Sequence, residues 1–538
     1  MTHAAHLQFE CLEERRLLAV AAVGGEALVN DLIIREQSTA GASTAVAVAN
    51  GNSIVAFAGK GRIDRDGVFA KVLAADGTTV VASFRVNTTI HGIQSSPAVA
   101  ADAAGNFVVA WAGRGAGDKQ GVFFQRYDAA GVAQGGETLV NETTGGAQFD
   151  PAVAVATDGA FVVTWSGVGG GDFAGVFMRR FDASGVAQSG ETPVNSTTDD
   201  QQTEPAAAFD AAGNLAIAWT SRHQDVSDLG VFAQRYDAAG NALGAEFGLS
   251  ATTAASQSAP ALATNPMGGF YAAWTSFGQD GDRESVVGRA FSNTGAATTD
   301  ELVLNDQTAG RQKDVSVAVD ARGAVLAAWS SGVADGSGWE VRARSLLPAG
   351  TPDGASFAVN QNTAGPNSGH QNAPAVAITG MAAAIAWSGN GAADHNGVFL
   401  RSFTTDEDGP QVAPVLAPVA AQAGTVGVPL SFTVTATDEN FNDLLGIQLD
   451  PDNAPALATL MQAAGARTAT ISYTPVAADA GQTLLFRVNV SDNGDPALSD
   501  TIDVFVTISA AAAPITASGS ADTETDEAAL DAAFSLVL

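Results

Sequence analysis

Seven aromatic residues keep almost constant step along this chain. Phe57, Trp111, Trp165, Trp219, Trp274, Trp329 and Trp387 follow one another at intervals of 54, 54, 54, 55, 55 and 58 residues. Each closes a short apolar run, such as IVAF, VVAW, VVTW or LAAW. A period of this size marks one supersecondary unit copied in tandem. The register constrains the fold far more tightly than the activity.

The copy around Trp111 contains four short apolar runs, SPAVAAD, NFVVAWAG, GVFFQRYD and ETLVN, separated by DAAG turns and one polar loop. Period-2 runs punctuated by Asp and Gly predict strands rather than helices. Four strands in about 54 residues fit one blade of a β-propeller, whose radial repetition leaves only short edges; a parallel β-helix would have much shorter coils. The fourth run ends at Asn87, Asn141, Asn195, Ser250, Asn305 and Asn360, and a seventh such run, GEALVN ending at Asn30, precedes every other strand. The last copy, after GVFLRSF, has no fourth run of its own. The expected fold is therefore all-β: a seven-bladed β-propeller over 24–405, with the N-terminal strand Ala27–Asn30 completing the final blade against Gly397–Phe403.

Composition narrows the partners. The 538 residues carry 57 acids against 25 Lys and Arg, a formal net charge of −32, which argues against nucleic acid or an anionic membrane as partner. No apolar run approaches the roughly eighteen residues of a transmembrane segment. The single cysteine, Cys11, precedes the repeats, so no disulfide is expected in the folded part.

Two stretches lie outside the repeats. Phe9-Glu10-Cys11-Leu12-Glu13-Glu14-Arg15-Arg16-Leu17-Leu18-Ala19 resembles the LEPR-XLL segment of exported surface proteins of planctomycete-type bacteria, with Glu14 where that family has proline. The resemblance implies an export or sorting segment over 1–23 and an extracellular or cell-surface location. After a linker at 406–412, residues 413–508 resemble the Ig-like or cadherin-like modules of bacterial surface proteins. Pro414-Val415-Leu416, Ala436-Thr437-Asp438, Tyr473-Thr474-Pro475, Ala480-Gly481 and Val490-Ser491-Asp492-Asn493-Gly494 carry that likeness. A β-sandwich is the implied fold. The tail 509–538 is acidic and Ala-rich.

Three polar positions recur with the aromatic. An Asp follows it by about seven residues (Asp64 or Asp66, Asp118, Asp172, Asp225, Asp280 or Asp282, Asp335, Asp394), a Gln precedes it by seventeen (Gln94, Gln148, Gln202, Gln257, Gln312), and the Asn stands twenty-four before. In a propeller the second-to-third strand loops and the blade-to-blade connections open on one face, so these groups should share a rim. The preferred reading is loop pinning, because Asp and Asn accept backbone N–H bonds in turns and a catalytic centre is asymmetric. The functional reading makes Asp118, Asp172, Asp225, Asp228, Asp280, Asp282, Asp335 and Asp394 ligand-binding residues of an acidic rim. The Trp register is read as blade-on-blade packing. The recurrent Arg (Arg126, Arg180, Arg235, Arg289, Arg344, Arg401) is read as pairing with turn residues such as Asp128, Asp182 and Asp237.

No nucleophile triad, HExxH or paired metal spacing is present, and no catalytic residue is assigned. In the second module Asp438, Asn440, Asp443, Asp492, Asn493 and Asp495 are oxygen ligands of the kind a Ca2+ site collects; plain turn chemistry is the alternative. No cofactor is required. The leading expectation is a non-enzymatic surface-binding or adhesion protein that presents its loop-rich face to a protein or glycan. The alternatives are an extracellular carbohydrate-active enzyme, either glycoside hydrolase or lyase, and a structural wall or matrix component.

Overall fold

The computed structural model describes residues 19–31, 37–38, 46–266, 268–332, 338–348, 350–361, 371–380, 382–390, 394, 396–406, 413–438, 445–462, 466–492 and 497–511. The LEPR-XLL-like residues before Ala19, Cys11, Asp335, Asn440, Asp443, Asn493, Asp495 and the tail beyond residue 511 lie outside the described residues. The chain divides into two compact units, Met1–Glu407 and Asp408–Leu538, and the division falls inside the expected linker.

The first unit is all-β and propeller-like. Its copies fold as four-stranded antiparallel sheets in simple sequential order, as Gln94–Ala101, Phe107–Gly115, Asp118–Tyr127 and Thr138–Leu139 do. The turns follow from local chemistry. In DAAGN, Asp102 Oδ1 accepts the Asn106 N–H at 2.9 Å, and Gly105 takes a φ of +88° that a Cβ would disfavour. Seven sheets form among the described residues, and the first strand of each touches the next. The series runs from Val46–Ala49 through Gln94–Ala101, Gln148–Val155, Gln202–Phe209, Gln257–Thr264 and Gln312–Val319 to Gln371–Thr379, which returns to Val46–Ala49.

The aromatic register lies between neighbouring sheets. Trp165 is fully buried among Ala98, Val108, Ala110, Val122 and Val140 of the preceding sheet and Val153, Phe161 and Val163 of its own. Its ring stacks on Phe177 at 6.1 Å and 28°, and Trp111–Phe123 and Trp387–Phe399 repeat that geometry.

The last sheet borrows its outer strands from the other end of the chain. Ala27 and Leu28 pair with Leu400 and Phe399, and Asn30 Oδ1 accepts the Val398 N–H at 2.8 Å. Ala19–Ala22, assigned from the sequence to the export segment, also pair antiparallel with Phe403–Asp406. Ala19–Ala22 thus add a further strand to the last sheet.

Two sets of bonds tie sheet to sheet. Where a Glu opens the fourth strand, as Glu26, Glu137, Glu191, Glu246 and Glu301 do, it clamps the connection leaving the previous sheet. Glu191 Oε2 accepts the N–H groups of Glu142 and Thr143 at 2.9 and 3.0 Å, Glu137 does the same for Thr88, and Glu246 for Ser196. Burial alone would raise the Glu301 carboxyl, but bonds from Thr252, Ala251 and Ser250 outweigh it and hold it below the ordinary glutamate value. Glu26 closes the series by exchanging bonds with Gln361 at 2.8 and 3.1 Å. The recurrent Arg corrects its sequence reading. Arg126 and Arg180 donate to Ala183 O and Ala238 O of the next sheet's turn, while Arg344 and Arg401 donate to Leu304 O and Val359 O of the preceding sheet. The partners are backbone carbonyls of neighbouring copies, because the turn carboxylates are engaged locally: Asp128 Oδ1 holds the N–H groups of Ala130 and Val132.

The second unit comprises two four-stranded sheets over one core. Val415–Leu416, Leu430–Thr437, Thr468–Tyr473 and Thr459–Gln462 form one, and Gln422–Thr425, Ser499–Ser509, Thr483–Ser491 and Gly446–Leu449 the other. The alternation in LSFTVTAT and TATISY sends Phe432, Val434 and Ile471 inward against Phe486, Val488 and Val504. Among the described residues, no helix of either unit is long and apolar enough to cross a membrane.

Candidate functional site

In each antiparallel sheet the second-to-third connection and the start of the first strand fall at the same end, so the recurrent Asp, Asn and Gln converge there. They form a network that recurs at five sheet boundaries, around Asn30, Asn87, Asn141, Asn195 and Asn305. Asn141 Nδ2 donates to Asp118 Oδ2 at 2.8 Å and to Gln148 Oε1 at 3.4 Å, while its Oδ1 accepts the Val122 N–H at 2.8 Å. Asn195 repeats this with Asp172, Gln202 and Val176, and Asn87 with Asp64, Gln94 and Val68. Asn305 reaches Asp280 at 2.7 Å, and Asn30 reaches Asp394 at 2.7 Å across the chain ends. Asp118, Asp172 and Asp394 are buried. Their carboxylates are used inside the fold, as loop pins are.

The remaining rim acids sit further out. Asp225 Oδ1 accepts Ser227 N–H and Oγ, and Asp282 Oδ2 accepts the Gly310 N–H at 2.8 Å. Asp228 Oδ1 lies 3.0 Å from Arg222 Nε and 3.1 Å from His223 Nε2, and His223 Nδ1 lies 3.0 Å from Asp200 Oδ2.

Apolar side chains that the sequence reading passed over are exposed at this same end. Phe173 is 90% exposed, Val226 86%, Ile63 76%, Ile93 67%, Phe277 54% and Phe149 38%. All six lie in second-to-third connections or at the adjoining strand ends. The opposite end has nothing aromatic of this kind among the described residues; its exposed apolar residues are Val80, Val132 and Val186.

The first strands add a feature of their own. Six of them carry a bulge at one position, where Ser96, Asp150, Glu204, Ala259, Asp314 and Ala373 adopt φ between 49° and 56°. A left-handed residue in a strand is uncommon outside glycine, and bulges re-aim side chains beside functional sites. The seven first strands enclose a channel of about 270 Å3 lined chiefly by Ala and Val. At the loop-rich end of these strands, a recess of about 220 Å3 is lined by Asp150, Glu204, Asp314, Pro205, Pro260 and Pro374. The repeated QxxP of QSSP, QFDP, QTEP, QSAP and QNAP marks this bulge in the sequence, with acids at the variable position in only some copies.

The three acids differ in their surroundings. Glu204 Oε2 accepts Thr220 Oγ1 at 2.7 Å and the Ala259 N–H at 3.0 Å. Asp314 Oδ2 takes Lys313 Nζ at 3.1 Å and Ser330 Oγ at 3.2 Å. Among the described residues Asp150 has no such partner. Burial, and after it the Glu204 carboxylate, push Asp150 up to about 6. A folded-state value above the unfolded one means that charging Asp150 opposes folding as pH rises between the two. Asp150→Asn is therefore expected to raise the melting temperature above pH 7, by at most about 3 kcal/mol of stability. That gain should shrink as pH falls through 6 and vanish near pH 4. Thermal melts of both proteins from pH 4 to 8 measure it.

In the second unit Asp492 Oδ1 accepts the Leu498 N–H at 2.7 Å, closing its own loop, and Asp438 is buried after the strand Leu430–Thr437. Among the described residues, no group of three or more His, Cys, Asp or Glu is arranged to hold a metal ion.

No protein-family model matches the chain, and no curated protein sequence matches it. Among solved structures the chain is similar to a polysaccharide lyase, at 11% identity and a TM-score of 0.46 over 72% of this chain and 100% of the other. It is similar to a protein of unknown function from Dyadobacter fermentans at 12% identity and a TM-score of 0.43, over 72% and 99%. The β-propeller domain of the Trilobed protease from Pyrococcus furiosus matches at 7% identity and a TM-score of 0.41, over 70% and 97%.

Proposed function

We propose that the first unit is a seven-bladed β-propeller, closed by its N-terminal strand, that binds a glycan or protein through its loop-rich face. The second unit is then an Ig-like or cadherin-like module, and the chain works at the cell surface or outside the cell without catalysing a reaction. The observation that carries this reading is the set of exposed side chains Phe149, Phe173, Phe277, Ile63, Ile93 and Val226 at one end of the sheets. Apolar and aromatic groups held on a rigid scaffold, inside an acidic rim, are what a recognition surface needs. A Ca2+ ion in the second unit would draw on Asp438 and Asp492, with further ligands from the adjoining loops.

The test is capture of glycans and surface-extract proteins by full-length chain and by Phe149→Ala/Phe173→Ala/Phe277→Ala. The triple variant removes exposed rings and should fold normally by circular dichroism. Its capture is expected to fall at least tenfold, while Val132→Thr/Val186→Thr at the opposite end captures as well as wild type. Equal capture by the triple variant would move recognition elsewhere.

A second reading, a carbohydrate-active enzyme on the same scaffold, is favoured by one observation. Asp150, Glu204 and Asp314 come from three different sheets into one recess, and carboxyl groups gathered in one recess are what general acid–base chemistry uses. Turnover of a polysaccharide by the wild-type chain, lost in Asp150→Asn, would establish this reading in place of the first.

A further inference from the structure

We propose that the recess at the channel mouth binds a primary ammonium group on a compact stem, held between Asp150 and Glu204. The inference deepens the recognition reading above by naming one part of the ligand, and it rests on that reading for the choice of face.

The recess is built from acceptors. Asp150, Glu204 and Asp314 line it, and the rest of its wall is Pro, Ala, Val and Ser. Lys313 is the one cation bonded to these acids among the described residues, and it is spent on Asp314. Glu204 is held in place by Thr220 and the Ala259 N–H, which leaves its charge unbalanced. Asp150 faces it from the neighbouring sheet, and its side chain has no hydrogen bond or ion pair among the described residues.

A second observation is independent of the acids. One residue past each Trp except Trp111, which Ala112 follows, the second strand carries a small hydroxyl in register with the bulge: Ser166 pairs with Phe149, Thr220 with Thr203 and Ser330 with Lys313. Thr220 and Ser330 use that hydroxyl to bond the bulge acid of their own sheet and the N–H of the bulge residue in the next. Ser166 occupies the same register in the sheet of Asp150, is fully buried, and its Oγ has no partner among the described residues. At this one sheet boundary both the acid and its hydroxyl are left open. The Asp150 carboxylate thus lacks the hydroxyl bond that steadies Glu204 and Asp314, and a donor with several N–H bonds and a positive charge satisfies it together with Glu204; –NH3+ has three donors and no acceptor. Among the described residues no three acids are placed to chelate a metal ion, and 220 Å3 accommodates an amine on a short stem rather than an extended chain. A lysine side chain and an amino sugar share this chemistry.

A cation that favours charged Asp150 must displace its proton. Binding therefore releases protons near pH 6 and strengthens as pH rises above that value. The experiment is calorimetric titration of the full chain at pH 5, 6 and 8, in two buffers of different ionisation enthalpy. One arm uses Nα-acetyl-lysine methylamide, the other glucosamine, with N-acetylglucosamine as the uncharged control. At least one amine should bind, with proton release at pH 6 and an affinity at least tenfold higher at pH 8 than at pH 5. Asp150→Asn, which keeps a side chain tolerated at positive φ, should abolish the proton release and weaken binding at least tenfold. The triple Phe variant should retain the pH dependence, so loss of rim recognition and loss of the ammonium site are separable. Binding unchanged in Asp150→Asn, equal binding of the N-acetylated control, or failure of both amines to bind would each overturn the proposal.

Discussion

Replacing Trp165 by Ala is expected to lower the unfolding free energy by roughly 3–5 kcal/mol, as large-to-small changes in packed cores do. The side chain is fully buried and stacked on Phe177 between two sheets, so no solvent-exposed volume can absorb the loss. Its indole N–H has no hydrogen-bond partner among the described residues. The loss therefore comes from packing alone, and Trp165→Phe should retain most of the stability. Chemical denaturation of the three proteins checks the ranking. A loss below about 1 kcal/mol for Ala would place the ring outside the packing between sheets.

Deleting residues 19–31 should have the second large effect. The deletion strips Ala27–Leu28 and Ala19–Ala22 from the third strand of the last sheet. It also removes the fully buried Val29, the Asn30–Asp394 bond and the Glu26–Gln361 clamp. An unpaired strand edge is a template for intermolecular pairing. The truncated chain should melt at least roughly 10 °C lower, since each kcal/mol shifts a large domain by about 2–4 °C, and should aggregate at micromolar concentration. A monomeric product with an unchanged melting temperature would mean that the ring does not need its N-terminal strands.

The parts of this architecture that the sequence exposes are those governed by side-chain type. Alternation in VVAWAG and GVFFQRYD, Gly in the DAAG turns and the spacing of Trp all act locally, so strands, turns and the packing register can be read directly. The Asp, Asn and Gln recurrences are equally visible, and loop pinning is the arrangement they adopt. Their mutual bonds at sequence separations of 23 and 7 exist only once the sheet places them together. Arg126 and Arg180 show the limit: their partners are backbone carbonyls of another copy, which carry no residue-type signal. Glu191 and its equivalents escaped for the same reason, since they bind mainly backbone N–H groups across a sheet boundary. The bulge at Asp150 and Glu204 depends on a register shift between Phe149 and Ala152 and between Thr203 and Ala206, and residue identity alone does not encode such a shift. Only the repeated QxxP hinted at it. Exposure of Phe173 was likewise invisible, because an aromatic in a strand-rich repeat reads as core.

Amide hydrogen exchange distinguishes recognition by the loop-rich face from recognition anywhere else on the chain. The full chain is measured alone and saturated with the glycan or protein that wild type captures. Slower exchange is expected in the second-to-third connections around Ile63, Phe173, Val226 and Phe277 and at the strand starts around Ile93 and Phe149. The turns at Gly105, Gly159 and Gly213 should exchange unchanged. Protection confined to those turns or to residues 413–511, with the loop-rich end unaffected, would contradict recognition by the loop-rich face.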